Sequence, residues 1–332
     1  MNPLLSIIIP VYKVEAYIEE CLRSVLDKSV DSSQYEVIIV NDGDPGRSME
    51  IVHGIVDGLS NVKIVEQENQ GLSAARMNGL EKAEGEYVWF VDSDDYLLPG
   101  GLGKVLALLQ ADSGTDLFIF PAKWSFEDPS LDHLDMAAGK EYADAGKNLL
   151  RQKLYPQWLA QRLIVKRSLF DHPSLYFPAG RIHEDVYFSP VVGYLAKQAR
   201  ILSEPVYVYR IRGGSIMTSR GIRSSYDLLD IYRQLKDFQA EKVDRDDKPW
   251  FSEVLATALR ECFRVSRFIF GTKEFKRFHA QNKKYVLEEY KRISSGFTYS
   301  RKLADRLLFK HPQLFQSIVQ HRDKWKRDQR EI

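Results

Sequence analysis

The sequence predicts an α/β protein built on a doubly wound, mostly parallel sheet, followed by an α-helical C-terminal region. Over roughly the first 120 residues, short apolar runs alternate with segments of helical periodicity, which is typical of a parallel sheet with crossover helices. From Tyr226 onward the apolar residues recur at helical spacing. With 332 residues, 44% of them hydrophobic, the chain can form one large domain and an appendage.

The predicted strands occupy short runs that are rich in β-branched and aromatic residues. They lie at Leu4–Val11, Glu36–Val40, Val62–Glu66, Tyr87–Val91, Leu117–Phe120 and Glu204–Arg210. Helical periodicity between these runs predicts crossover helices over Val14–Lys28, over Met49–Leu59, and from Ser73 as N-cap to Ala83.

The fourth predicted strand ends abruptly in three carboxylates, Asp92, Asp94 and Asp95. Its position places them at the C-terminal end of a buried strand, where open α/β sheets usually bind their ligands. Hard cations such as Mg²⁺ or Mn²⁺ prefer oxygen ligands of this kind. The alternative interpretation is an acidic turn that caps the next helix.

Several other classes of site are absent from the sequence. Cys21 and Cys262 are far apart and form no CxxC pair, which argues against a disulfide framework or a zinc site. No GxGxxG follows the first strand, and neither GxxxxGK[ST] nor GxSxG occurs. The apolar start of the chain lacks a basic leader, and no apolar run approaches the ~20 residues of a membrane span. We therefore expect a soluble or peripheral, cytoplasmic protein.

The charge is distributed unevenly, although the net charge of the whole chain is only +1. Lys273–Ile332 contains 16 Lys and Arg against 7 Asp and Glu, a net charge of +9. This asymmetry predicts contact with an anionic surface, either a membrane or a nucleic acid, but no nucleic-acid-binding module is visible. The alternative is a helical bundle with solvated basic residues, or a dimer surface.

Five segments together resemble one family. They are SIIIPVYK (6–13), VIIVNDGD (37–44), NQGLSAARMNG (69–79), GEYVWFVDSDDYLLP (85–99) and HED (183–185). The first four cover the N-terminal third in the order and spacing of family 2 glycosyltransferases, and together the five segments resemble that family. Its members have the Rossmann-like GT-A fold and, in the bacterial type, build surface polysaccharide. The resemblance fades beyond Ser215.

The resemblance implies a reaction and a domain organisation. The reaction is the metal-dependent transfer of a sugar, with inversion, from a nucleotide sugar to a hydroxyl of a glycan or lipid-linked acceptor. The family usually uses UDP-sugars. Residues 1–220 would form the GT-A domain, with a donor half over 1–121 and an acceptor half over 122–220, and residues 221–332 would form a basic helical region. A nucleotidyltransferase and a catalytically inactive nucleotide-sugar-binding protein are the alternatives.

By this resemblance, residues at the ends of the first two strands bind the base. Pro10, Val11 and Tyr12 would flank it, with the Tyr12 ring as a stacking face. Asp42 would accept the imide N–H of uracil. The alternatives are packing at the sheet edge for Tyr12 and an Asx-turn before Gly43 for Asp42.

The resemblance also implies residues that approach the ribose and the diphosphate. Gly71 and Arg76 belong to this element, although Arg76 could instead be an exposed charge on a helix. Lys13 and Met77 stand where the family often has Asn. This departure concerns the fine contacts to the nucleotide rather than the acids.

The metal and the catalytic base are assigned by the same resemblance. Asp92 would lie near the ribose, Ser93 would belong to the nucleotide-sugar site, and Asp94, with Asp92, would ligate a Mn²⁺ or Mg²⁺ ion between the phosphates. Asp185 would be the base, and Glu184 would contact the acceptor or orient the site. Alternatively, this last pair is an acidic N-terminus favoured by a helix dipole.

Three more residues are candidates for substrate contacts. Arg210 and Arg212 lie beside Gly213-Gly214-Ser215, a turn from which they could clamp the diphosphate. Trp158 could stack on a sugar at the acceptor side, with core packing as the alternative.

Overall fold

The computed structural model describes residues 2–134, 141–152, 159–212, 221–265, 269–313 and 315. The chain divides into two compact units, Met1–Gly180 with Phe188–Ser215 and Arg181–Tyr187 with Ile216–Ile332.

Twelve strands and ten helices lie in the described ranges. The strands are β1 (Leu5–Val11), β2 (Tyr35–Asp42), β3 (Val62–Gln67), β4 (Tyr87–Phe90), β5 (Tyr96–Leu97), β6 (Leu117–Ile119), β7 (Ala122–Phe126), β8 (His133–Leu134), β9 (Tyr142–Asp144), β10 (Leu163–Lys166), β11 (Ala199–Ile201) and β12 (Tyr207–Ile211). The helices are α1 (Ile18–Val25), α2 (Ser48–Val56), α3 (Leu72–Glu81), α4 (Gly101–Ala111), α5 (Gly146–Arg151), α6 (Asp185–Leu195), α7 (Ile222–Lys242), α8 (Lys248–Arg264), α9 (Lys273–Ile293) and α10 (Tyr299–Lys310).

The first unit contains two sheets. The large sheet has the order β3-β2-β1-β4-β10-β6-β11-β9, and the small sheet has the order β5-β12-β7-β8. In the large sheet, β3, β2, β1 and β4 are parallel neighbours, whereas β10 runs antiparallel between β4 and β6. Since β4 belongs to the large sheet and β5 to the small one, residues 91–95 join the two sheets.

The core of this unit forms around β1, which is buried along its whole length. Helix α1 buries Ile18, Cys21, Leu22 and Val25, which recur at helical spacing along one face. Both cysteines of the chain, Cys21 and Cys262, are buried and free.

A network of hydrogen bonds lies at the amino-terminal edge of the large sheet. Its members are Ser6, Glu36, Lys63 and Gly85. The Glu36 carboxylate accepts hydrogen bonds from the Ser6 hydroxyl at 2.6 Å and from the Glu84 N–H at 2.6 Å. It also pairs with Lys63 at 2.9 Å. Burial alone would raise the pKa of Glu36, but these hydrogen bonds and the lysine together hold that pKa below its usual value.

Helices α7 to α10 make up most of the described part of the second unit. Leu228, Tyr232 and Leu235 of α7 and Phe263 of α8 are buried, and the Tyr232 hydroxyl donates to Glu289 of α9 at 2.6 Å. Over the described ranges, the structure contains no helix that combines the length and the apolar composition of a membrane span.

The predicted fold class is confirmed, whereas several element boundaries were wrong. The first helix begins at Ile18 rather than Val14, because residues 14–17 form a turn in which Tyr17 N–H donates to Val14 O. Helix α3 begins at Leu72, and its N-cap is Gly71 with a φ of 86° rather than Ser73. Most of the basic segment after residue 310 lies outside the described residues.

Candidate active site

The three predicted carboxylates lie together at the carboxyl-terminal edge of the large sheet, in the turn that follows β4. We call Asp92, Asp94 and Asp95 the acid cluster. One carboxylate oxygen from each lies within 4.8 Å of the others. Such crowding is electrostatically unfavourable unless positive charge or hydrogen-bond donors compensate it.

Asp92 is held in a fixed orientation by two side chains. Arg76 donates to Oδ1 at 2.7 Å, and the Gln161 amide donates to Oδ2. The Arg76 side chain is only 1% exposed, and its guanidinium lies 5.0 Å from the centre of the Phe177 ring. Arg76 is therefore a buried partner of Asp92 and not an exposed helix charge.

Asp95 is buried and connects the acid cluster to the small sheet. The Tyr207 hydroxyl donates to Oδ2 at 2.5 Å, and the backbone N–H of Arg210 donates to Oδ1 at 2.8 Å. Burial, reinforced by the charges of Asp94 and Asp92, raises the pKa of Asp95 well above its ordinary value. This residue anchors β12 beside the other two acids.

Asp94 is the most exposed member of the acid cluster, with 22% of its side chain accessible. Arg212 donates from Nε to Oδ2 at 2.8 Å. Burial and then the charge of Asp92 raise the pKa of Asp94, while Arg212 opposes the shift. Since both oxygens of Asp92 and both of Asp95 already accept protein hydrogen bonds, Asp94 is the acid best able to take a divalent cation.

Two arginines from the end of β12 lie against aromatic rings. The Arg210 guanidinium is 5.0 Å from the ring centres of both Tyr17 and Tyr96, and it pairs with Glu20 at 2.5 Å. The Arg212 guanidinium is 4.7 Å from the centre of the Tyr17 ring. The predicted sugar platform Trp158 and the turn at 213–215 lie outside the described residues.

Asp42 organises the turn that precedes α3. Its carboxylate accepts hydrogen bonds from Gln67 Nε2 and Gln70 N–H at 2.7 Å and from Gly71 N–H at 2.9 Å. Asn69 Nδ2 donates to it at 3.2 Å. A carboxylate offers about four acceptor positions, so a uracil N–H would have to replace one of these donors. The Asp42 carboxylate thus accepts its hydrogen bonds from residues 67–71. It does not form the Asx-turn before Gly43 that was the alternative.

The other predicted base-binding residues lie at the end of β1. Pro10 and Val11 are buried, whereas Tyr12 is 40% exposed. The Lys13 ammonium lies 5.0 Å from the centre of the Tyr12 ring. The exposed part of this ring is available for stacking. Ser93, inside the acid-cluster turn, is buried.

The predicted catalytic pair belongs to the second unit. Asp185 is the first residue of α6, and Glu184 directly before it is buried. Nearby, the Ile182 N–H donates to Asp227 at 3.1 Å, and Arg181 pairs with Asp230 at 3.1 Å. A carboxylate at the first helical position suits the helix dipole, and this position is equally compatible with a role as base.

Three residues that contact the acid cluster or the two arginines beside it were not predicted from the sequence. Tyr207 could have been found, because a tyrosine in a buried strand needs a partner for its hydroxyl. No local pattern marks Tyr17 or Gln161. Gln161 is positioned by the fold, since its backbone carbonyl accepts a hydrogen bond from the Trp89 indole at 2.7 Å.

Residues 6–167 match the sequence profile of the family described as Glycosyl transferase family 2. EpsH of Bacillus subtilis, whose name assigns it to the glycosyltransferases, is 33% identical over 222 residues, which cover 65% of this chain and 63% of EpsH. The poly(ribitol-phosphate) beta-N-acetylglucosaminyltransferase TarS of Staphylococcus aureus is 27% identical over 79% of this chain and 44% of TarS. The chain thus spans less than two thirds of the length of either relative.

Two solved structures share the fold. S. aureus TarS 1–349 in complex with UDP-GlcNAc superimposes with a TM-score of 0.62 at 20% identity, over 94% of this chain and 93% of that chain. The mannosyltransferase PcManGT from Pyrobaculum calidifontis in complex with GDP-Man and Mn²⁺ has a TM-score of 0.52 at 16% identity, over 90% and 89% of the two chains.

Proposed function

Because residues 6–167 match the profile of glycosyl transferase family 2, we propose that the chain transfers a sugar from a nucleotide sugar to a hydroxyl group of an acceptor. The observation that carries this proposal is the acid cluster at the carboxyl-terminal edge of the large sheet, which lies within the matched segment. The UDP-GlcNAc bound to the similar TarS structure favours a UDP-linked donor.

The acid cluster fits a divalent cation. Three carboxylates supply hard oxygen atoms within 4.8 Å of one another, and Asp94 is the most accessible. Mn²⁺ or Mg²⁺ is usually held by one or two carboxylates together with substrate phosphates. Asp94 would hold the ion, with Asp92 next to it. When bound, the ion would neutralise the negative charge that develops on the departing diphosphate.

The surrounding residues would orient the nucleotide. Arg76 and Gln161 fix the Asp92 carboxylate, so this acid could accept a hydrogen bond from a ribose hydroxyl in a defined direction. The Tyr12 ring would stack on the base, while Asp42 would accept the uracil N–H after exchanging one of its present donors.

The acceptor must lose a proton as its hydroxyl attacks the anomeric carbon. We assign this step to Asp185, with Glu184 orienting the acceptor or the base itself. Attack from the side opposite the leaving diphosphate gives inversion. The proton passes from the acceptor oxygen to the Asp185 carboxylate, and the bond from the anomeric carbon to the diphosphate oxygen breaks.

The acceptor class and the location are proposed from the relatives and from the charge. The name of TarS gives its acceptor as a polymer, poly(ribitol-phosphate), and not a small metabolite. By analogy, this supports a surface glycan or a lipid-linked saccharide as the acceptor here. The net charge of +9 over Lys273–Ile332 would hold the enzyme on anionic lipid at the cytoplasmic face. Flotation that does not change between neutral and anionic vesicles at low salt would contradict this location.

The proposed function is tested by nucleotide release from a panel of UDP-, GDP-, CMP- and dTDP-sugars, with and without Mn²⁺. For Asp185→Asn we expect turnover to fall by about 10²–10⁴-fold, because general-base catalysis contributes that much, while binding of the nucleotide is retained. Asp237→Asn, on an exposed position of α7, is the matched control and should keep full turnover.

Two outcomes would contradict the assignment. Turnover of Asp185→Asn within a few-fold of the unmodified enzyme would remove Asp185 as the base. Release of a sugar 1-phosphate instead of a nucleoside diphosphate would indicate nucleotidyl transfer, because attack on the nucleotide's own phosphorus expels the sugar phosphate.

A further inference from the structure

Arg212 lies on the carboxylate that would bind the cation. Its Nε donates to Asp94 Oδ2 at 2.8 Å, and its guanidinium is 4.7 Å from the centre of the Tyr17 ring. The two charged side chains are 17% and 22% exposed, so solvent screens this pair only in part.

We propose that Arg212 is a positioning residue that makes binding of the cation and binding of the nucleotide depend on each other. Arg212 holds Asp94 while no cation is bound. When the cation takes Asp94, Arg212 moves to the diphosphate of the donor. This inference rests on the proposed function and adds a residue that links the two ligands.

The exchange follows from the chemistry of the partners. A guanidinium and a divalent cation at the same carboxylate repel each other, so the cation has to displace Arg212 from Asp94. A displaced guanidinium needs another anion, and its planar fork of N–H donors suits phosphate oxygens. Binding of Arg212 to the diphosphate therefore replaces the Arg212–Asp94 ion pair that the cation breaks.

The neighbouring arginine does not occupy an equivalent position. The Arg210 side chain pairs with Glu20 and lies against the rings of Tyr17 and Tyr96, while only its backbone N–H contacts the acid cluster, at Asp95. Arg212 pairs with Asp94 through its side chain and has the Tyr17 ring beside it. The stacking on Tyr17 gives Arg212 a surface along which it can shift while it stays in contact.

The expected effect is a change in the coupling between two ligands. Loss of Arg212 should raise the affinity for Mn²⁺ alone by about 3- to 10-fold, because a competing, partly exposed ion pair is removed. In the unmodified protein, UDP should raise the Mn²⁺ affinity by a factor in the usual range of about 5 to 150. In the variant this factor should fall at least about 5-fold.

The experiment is a titration of Mn²⁺, followed by electron paramagnetic resonance of the free ion, with and without saturating UDP. It compares the full chain with Arg212→Gln and Arg212→Ala, so that two different replacements have to agree. Arg23→Gln is the matched control, because it removes a positive charge from the same unit, on an exposed position of α1 where Arg23 pairs with Glu19 at 2.8 Å, without vacating Asp94. We expect its affinity for Mn²⁺ alone to stay within about 2-fold of the original. Thermodynamic reciprocity requires that Mn²⁺ change the UDP affinity by the same factor, which gives an internal check.

Each result decides the proposal. Tighter Mn²⁺ binding and weaker coupling in both Arg212 variants, with neither change in Arg23→Gln, support it. Equal changes in the Arg23 and Arg212 variants would show a general effect of charge and overturn it. Unchanged coupling in the Arg212 variants would also overturn it, while the proposed function would stand. Absence of Mn²⁺ binding in every variant, even with UDP, would overturn it and also remove the metal from the proposed function.

Discussion

At the amino-terminal edge of the large sheet, Glu36 is buried among donors, whereas at the opposite edge Asp92, Asp94 and Asp95 face one another. Glu36 accepts two hydrogen bonds at 2.6 Å and pairs with Lys63, so its pKa is lowered in spite of its burial. Burial and mutual repulsion raise the pKa values of Asp94 and Asp95.

The difference shows how one residue type serves two purposes in one sheet. Where donors outnumber charges, a buried carboxylate stabilises the fold. Where several carboxylates lie close together in a partly buried turn, burial and their mutual repulsion outweigh the neighbouring donors, as at Asp94 and Asp95, and a bound cation would relieve the negative charge. The first edge should therefore respond to substitution mainly in stability, and the second mainly in activity.

The largest expected effect is on the carboxyl-terminal edge. For Asp94→Asn we expect kcat/KM to fall by about 10²–10³-fold, because one anchor of the charge-neutralising group is lost. The free energy of unfolding should stay within about 1 kcal/mol of the original, since lost repulsion offsets the lost Arg212 pair. Steady-state kinetics measure kcat/KM, and urea unfolding measures the free energy of unfolding. A large loss of stability with unchanged kcat/KM would contradict the assignment of this edge to activity.

The next effect is on the amino-terminal edge. Glu36→Gln should lower the free energy of unfolding by about 2–3 kcal/mol at pH 7, because hydrogen bonds to a buried charged acceptor are lost. The nucleotide affinity should not change. Glu84→Gln is the control, since the exposed Glu84 carboxylate pairs with the same Lys63 at 3.0 Å and should contribute less than about 1 kcal/mol. Equal losses in the two variants would contradict a special role for Glu36.

The smallest effect is a pH dependence with opposite signs at the two edges. The pKa of Glu36 is lowered on folding, so its contribution is complete above the unfolded pKa of about 4.3 and disappears as the pH falls through the folded pKa. The stability difference between the original protein and Glu36→Gln should shrink accordingly. The pKa of Asp94 is raised, so acidification through that pKa should instead favour the folded state. Urea unfolding from pH 7 down to about 2.5 measures both trends, because this range extends below the unfolded pKa of Glu36.

The parts of the fold that depend on local pattern could be predicted from the sequence. The β4 run and its acids indicated both a buried strand and the edge at which its carboxylates lie. The family resemblance inferred from the motifs is confirmed by the profile match over residues 6–167. The N-cap of α3 could not be predicted, because Asp42, almost 30 residues away along the chain, accepts the hydrogen bond from the Gly71 N–H.

Strand β10 and the hydrogen bond that it brings to Asp92 also could not be predicted from the local sequence. Leu163–Lys166 is too short to identify as a strand by periodicity, yet it lies antiparallel against β4. Gln161, one of the two residues that hold the Asp92 carboxylate, precedes this strand and is brought there by the pairing of β10 with β4. Contacts between distant segments carry no local signal, so a substantial part of the candidate site became visible only in the folded chain.

The turn after β4 also restricts how the gene can change in length. Residues 91–95 connect β4 of one sheet to β5 of the other, and β5 consists of only Tyr96 and Leu97, paired with β12. An inserted or deleted residue here would displace Asp92 or Asp95 from the Arg76 and Tyr207 side chains that hold them. If the shift reached β5, it would also exchange the buried Leu97 with Tyr96, because successive strand residues point to opposite faces. Engineering of this protein by loop grafting should therefore preserve the length of this segment, whatever residues it carries.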